Sequence, residues 1–147
     1  MKHEESTTNE RGQSLVEFSL SMVLVLVLLA GLVDFGRAVF TYMALRDAAQ
    51  EGATYGAVNP AMTSAIEDRV FGSSTLLQGL QNPGEGISPI TIDISIIGDA
   101  CTGNGIQVDV AYEEFPLTMP FLGAFIGSQT VGISASATDT ILSPKCE

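Results

Sequence analysis

The character of the hydrophobic pattern changes three times along the chain. Met1 to Gly12 are polar and end in Arg11-Gly12, a composition that predicts an unstructured leader rather than a folded element. From Leu15 the chain turns apolar, and Phe18 to Val33 carry no charge. As a helix rising about 1.5 Å per residue, residues 13–33 measure about 31 Å, close to the hydrocarbon thickness of a bilayer, so a membrane span is predicted there. Beyond Val33 a helical period replaces uniform apolarity. Phe35, Val39, Tyr42, Leu45, Ala49 and Gly52 recur at steps of three and four, with Asp34, Arg37, Arg46, Asp47 and Glu51 elsewhere on the wheel. One helix is therefore expected to continue out of the membrane as an amphipathic extension over 34–58.

Pro60 cannot continue that helix and disfavours helical geometry at Asn59, which sets the stop near Asn59-Pro60. With Asn59 as cap and Pro60 in the first position, a second, shorter helix is predicted through Phe71, closed by Gly72. Residues Gly72 to Ser88, rich in Gly, Ser, Gln and Asn and including Asn82-Pro83-Gly84, read as a loop. Three period-two stretches follow: Ile90, Ile92, Ile94, Ile96; then Ile106, Val108, Val110, Tyr112; then Val131, Ile133, Ala135, Ala137. The turn Gly98 to Gly105 joins the first two into an antiparallel hairpin, and Phe115 to Gly127 is an apolar, Pro-containing connection to the third. The expected fold class is α+β. A long N-terminal transmembrane helix extends into a domain over 59–147, with a three-stranded antiparallel sheet and a short second helix.

Composition sharpens this division. The net charge is −11, with six Lys and Arg in all, yet the mean hydropathy is +0.32, so apolar residues are concentrated in one stretch and acidic ones spread over the rest. The sequence pI near 4.2 leaves no basic patch to neutralise phosphates, which argues against nucleic acid as a partner. Flanking charges orient the span weakly, because Lys2 and Arg11 are accompanied by Glu4, Glu5 and Glu10.

Enzyme chemistry finds few groups to use. The one histidine, His3, lies in the leader, so the rest of the chain has no Ser-His or Cys-His pair and no histidine metal ligand; no catalytic residue, metal site or cofactor is expected. Glu113 and Glu114, adjacent on a strand, point to opposite faces unless the strand bulges, and read as solvated edge charges. The turn from Asp99 to Gly105 has oxygens but lacks the spaced carboxylates of a calcium loop. Cys101 and Cys146 both follow the apolar segment and can pair if that part is exported. If the third strand runs antiparallel to the second, it ends beside the turn holding Cys101, and a disulfide Cys101–Cys146 closes that corner. If it runs parallel, two separated thiols are expected.

The densest information lies in Arg11-Gly12-Gln13-Ser14-Leu15-Val16-Glu17-Phe18, where a small residue precedes an apolar helix bearing one carboxylate at its fifth position. A carboxylate entering a bilayer is costly without a partner, which makes Glu17 a functional candidate; simple capping of the helix dipole at headgroup level is its structural alternative. Gly12 followed by Glu17-Phe18 resembles the prepilin-peptidase site of type IV pilin-like proteins. The run from Gly12 through Leu20, then Asp34-Phe-Gly-Arg-Ala38 and Ala48-Ala-Gln-Glu-Gly-Ala53, resembles more closely the TadE-like family of the tight-adherence (Flp-type) pilus system. The stretch Ile106 to Thr140 is similar to the end of that family.

This resemblance implies a pseudopilin or minor pilin, cleaved between Gly12 and Gln13 by a prepilin peptidase and docking on other pilin-type subunits and the assembly machinery through Glu17 and Phe18. In such an assembly Glu17 of one subunit neutralises the freed Gln13 amine of a neighbour. It implies a bacterial inner-membrane protein, single-pass, with the C-terminal domain extracytoplasmic. The alternatives are a membrane-anchored binding or adhesion module unrelated to pili, and an ordinary signal peptide cut near Ala30-Gly31 or Gly36-Arg37-Ala38, for which the apolar run is long.

Overall fold

The computed structural model describes residues 10–81, 89–119, 123–124 and 127–146. Its first element is one continuous helix, α1 (Glu10–Val58), which has no proline to interrupt it. The helix starts before Gly12, so the last residues of the segment expected to be an unstructured leader are helical; Met1 to Asn9 and their charges lie outside the described residues. From Gly12 through Leu26 the helix is exposed on every side. An apolar window long enough to cross a membrane is not buried against any described part of the chain.

The second half is packed, on a face turned from the one the period predicted. Thr41, Leu45, Ala48, Ala49, Gly52, Ala53, Gly56 and Ala57 are buried, while Phe35, Val39 and Tyr42 are exposed. The sheet rests on the side where residues are smallest. A Cβ built on Gly52 would lie 2.7 Å from Val70 Cγ2, and one on Gly56 would lie 2.6 Å from Ile106 Cδ1. Short side chains let the helix axis approach its neighbours closely, and the large Phe and Tyr residues would hold it away.

α1 stops at Val58, as Pro60 requires, but Asn59 and Pro60 form a turn and not a helix start. α2 (Thr63–Gly72) begins three residues later, with Met62 in the cap position and no side-chain cap. The Met62 N–H instead donates to the Asn59 carbonyl at 3.1 Å, closing the turn. A third helix, α3 (Thr75–Gln81), occupies part of the stretch expected to be loop. Its amphipathic signal is only Leu76, Leu77 and Leu80, but Leu77 is fully buried and its N–H donates to the Ser74 hydroxyl oxygen. Residues 82–88, with the Asn82-Pro83-Gly84 turn, fall outside the described residues.

β1 (Ile90–Ile97), β2 (Gly105–Pro116) and β3 (Thr130–Thr140) form one antiparallel sheet in the order β1-β2-β3. Ile92 faces Val110 across the hairpin, and Val110 faces Ala135 on the other side. Ile106, Val108 and Val110 are fully buried against the helices, whereas Thr91, Asp93, Ser134, Ser136 and Thr138 on the other face are exposed. Ile96, expected on the buried face, is exposed near the end of the edge strand. The β2–β3 register shifts between Tyr112 and Phe115. Glu113 and Glu114 thus sit in a bulge, both exposed, and the extra residue returns Phe115 to the helix side.

The far end of the domain is closed by the C-terminus. Thr102 and Gly103 donate to the Pro144 and Ile141 carbonyls, and Leu142 N–H caps the helix carbonyl of Ala57 at 2.8 Å. The sulfurs of Cys101 and Cys146 are joined here, with Cα atoms 5.0 Å apart.

Candidate functional site

Two regions of α1 carry the groups with functional potential. The first is its uncovered N-terminal end. Gly12, Gln13, Glu17 and Phe18 are all exposed on the helix, and Glu17 makes no hydrogen bond or ion pair among the described residues. Glu17 lies four residues after Gln13, so both project from the same face one turn apart. No side chain elsewhere in the described chain shields this face. Its chemistry is that of a lone carboxylate set in an apolar cylinder, which gains most from a cation brought by another molecule.

The second region is where the apolar run ends. Asp34, just outside residues 13–33, is 5% exposed. Its carboxylate accepts hydrogen bonds from the Thr118 N–H at 2.8 Å, the Met119 N–H at 2.6 Å and the Thr118 hydroxyl. Arg37, one turn further on, approaches at 3.3 Å. The Thr118 hydroxyl above all, then the two backbone N–H groups and the Arg37 cation, outweigh burial and hold the carboxyl below the ordinary aspartate range. Asp34 thus stays an anion and clamps the β2–β3 connection onto the helix. Arg37 extends the clamp, its guanidinium 5.2 Å from the Phe115 ring centre and 3.5 Å from the Pro116 carbonyl.

From sequence alone Asp34 has no role beyond its place in the Asp34-Phe-Gly-Arg-Ala38 run. A solitary carboxylate ending an apolar run, with an arginine three residues on, was the available signal. Its partners lie 84 and 85 residues away, and nothing in local spacing announces them.

Beside the clamp an apolar cleft of about 430 Å³ is lined by Arg37, Phe40, Leu76, Leu80, Tyr112 and Phe115, among others. Among the described residues its lining contains no carboxylate and no histidine. Phe35, Phe40, Tyr42 and Met43 continue an exposed apolar surface outside the packed face of α1. Among the described residues no group of three or more His, Cys, Asp or Glu is placed to hold a metal ion.

Residues 12–54 match the family described as TadE-like protein, the stretch that begins at Gly12 and ends within the packed half of α1. No curated protein and no solved structure matches the chain.

Proposed function

We propose that this chain is a pseudopilin or minor pilin that takes part in assembling a tight-adherence pilus. The TadE-like match and the one long apolar helix among the described residues support a pilus-associated membrane protein anchored by that helix. The observation that carries the finer reading is the coincidence of the two: the matched stretch opens at Gly12, and from there through Leu26 every residue of the helix is exposed. A helix built to be covered by lipid, and later by neighbouring helices, has this character. One built for a soluble core does not.

In this reading residues 13–33 span the bacterial inner membrane and the sheet domain is extracytoplasmic. A prepilin peptidase cuts between Gly12 and Gln13; Gly12 offers no side chain to obstruct a peptidase pocket. The freed Gln13 amine is then a cation in an apolar setting, and Glu17 of an adjoining subunit supplies its counter-charge while Phe18 packs beside it. The domain has more mass than an assembly helix needs, which fits a minor or priming subunit better than the bulk of a filament.

N-terminal sequencing of the protein from membrane fractions tests this. A start at Gln13 is expected. A start at Gly31 or Val39 would mean that an ordinary signal peptidase removes the helix, and would refute both the anchor and the pilin role.

A further inference from the structure

The clamp on Asp34 has a geometric consequence for the domain. Thr118 and Met119 are held against the first charged residue after the apolar run, and Met119 reaches further back: its sulfur lies 3.6 Å from where a Cβ on Gly31 would be. Gly31 belongs to the segment read as spanning. A residue of the soluble domain is therefore at the depth of the helix's last apolar turn, about 4.5 Å below Asp34 at about 1.5 Å per residue.

Charge points the same way. In a chain of net charge −11, no Asp, Glu, Lys or Arg occurs from Phe115 to Thr138, and the connection after Thr118 reads Met-Pro-Phe-Leu-Gly-Ala-Phe-Ile. An acidic segment would be repelled by anionic headgroups, whereas this one is free of that penalty. The backbone is also provided for. Gln129 donates from its side-chain amide to the Leu117 and Met119 carbonyls at 2.8 and 3.0 Å, and the Thr118 and Met119 N–H groups are taken by Asp34. Polar backbone with its hydrogen bonds satisfied internally is what a water-poor layer demands.

We propose that the start of the β2–β3 connection, Leu117 to Met119, is seated in the interfacial layer of the lipid bilayer as a second membrane contact beside the helix. The domain then stands against the membrane in one orientation rather than swinging on the helix. The Asp34 clamp is what fixes the connection at that depth. This inference rests on residues 13–33 spanning the membrane.

The chain has no tryptophan, so a single introduced one is a clean depth probe. The full chain is reconstituted in phosphatidylcholine vesicles carrying bromine either near the headgroup end or near the methyl end of the acyl chains. Leu24→Trp, exposed in mid-span, reports the span itself and is quenched most by the deep bromines. Thr138→Trp, on the exposed polar face of the sheet, stays bright with both. Met119→Trp is expected to lose roughly half its emission to the shallow bromines and less to the deep ones. Because tryptophan at that half-buried position can disturb packing, Ala124→Trp, exposed in the same connection, is read alongside and is expected to follow it.

If Leu24→Trp is quenched while both connection probes stay as bright as Thr138→Trp, the second contact is refuted and the span is kept. Connection probes that stay bright in vesicles and change only when other pilin-type subunits are added would refute it as well, assigning the surface to protein. If Leu24→Trp is itself unquenched, the spanning reading fails and takes this inference with it.

Discussion

Replacing Gly52 with alanine tests whether close approach, rather than apolarity alone, holds the helix to the domain. Gly52 lies at the junction of α1, α2 and β2, where an added Cβ would be 2.7 Å from Val70 Cγ2, 3.3 Å from Val108 Cγ1 and 3.5 Å from Ile66 Cγ2. Normal carbon–carbon contact is about 3.5–4.0 Å, so the Val70 methyl must retreat by about 1 Å. Both valines are stiff at χ1 and fully buried, so rotation offers them little escape. Forcing a methyl into a filled core costs about 1–3 kcal/mol, while the helix propensity gained from Gly to Ala returns about 1 kcal/mol. Gly52→Ala is therefore expected to destabilise the domain by about 1 kcal/mol, a lowering of Tm on the order of 4 °C.

The control is Gly79→Ala in α3, where nothing lies within 4 Å of the added Cβ. There the propensity gain stands alone, up to about 1 kcal/mol of added stability. Thermal unfolding of the full chain in detergent, followed by tyrosine fluorescence from Tyr55 and Tyr112, reads both variants against the wild type. Equal stabilisation by Gly52→Ala and Gly79→Ala would refute the reasoning, because it would mean that the α1–α2–β2 junction is loose enough to take a methyl at no cost.

Glu17→Gln should leave cleavage after Gly12 largely intact yet lower incorporation into pili, since the charge partner of the Gln13 amine is lost; unchanged pilus yield counts against that pairing. Hydrogen exchange at Thr118 and Met119 tests the clamp. Because the folded-state pKa of Asp34 is depressed, the clamp is fully present above the ordinary aspartate value of about 3.9 and fades only as pH falls through the lower, folded-state value. Protection already lost near pH 6 would contradict this, and Asp34→Ala, which removes the oxygen that both N–H groups share, should lower protection at all pH values. Mass spectrometry of unreduced peptides should recover Cys101 linked to Cys146. With a sequence separation of 45, the chain-entropy relation gives a loss of about 4 kcal/mol for Cys146→Ser. A Tm within a degree or so of the wild type would show that this link does not restrain the unfolded chain.

The parts of the architecture legible in the sequence are those whose cause is local. An uncharged run from Phe18 to Val33 can only be a long apolar helix, Pro60 ends it, and strict alternation at Ile90–Ile96 and Ile106–Tyr112 makes strands whatever surrounds them. The Gly-Asp-rich turn at 98–105 makes the first two strands a hairpin for the same reason. The resemblance seen in Gly12, Glu17 and Phe18 was also local, and the family match over 12–54 falls on it.

What the tertiary structure decided depended on groups far apart in the chain. The buried face of α1 follows its small residues, because the sheet and α2 must come close at Gly52 and Gly56; large apolar residues at Phe35, Val39 and Tyr42, equally periodic, are left outside. α2 begins at Thr63 because Asn59 and Pro60 are spent in a turn, and α3 forms because Leu77 has a core to enter. Neither outcome is visible from propensity, which is a weak prior where packing decides. Asp34 shows the difference most plainly. In the sequence it is one charge after an apolar run, and only the fold carries Thr118 and Met119 across more than eighty residues to donate to it, because their position is set by the length and bulge of β2.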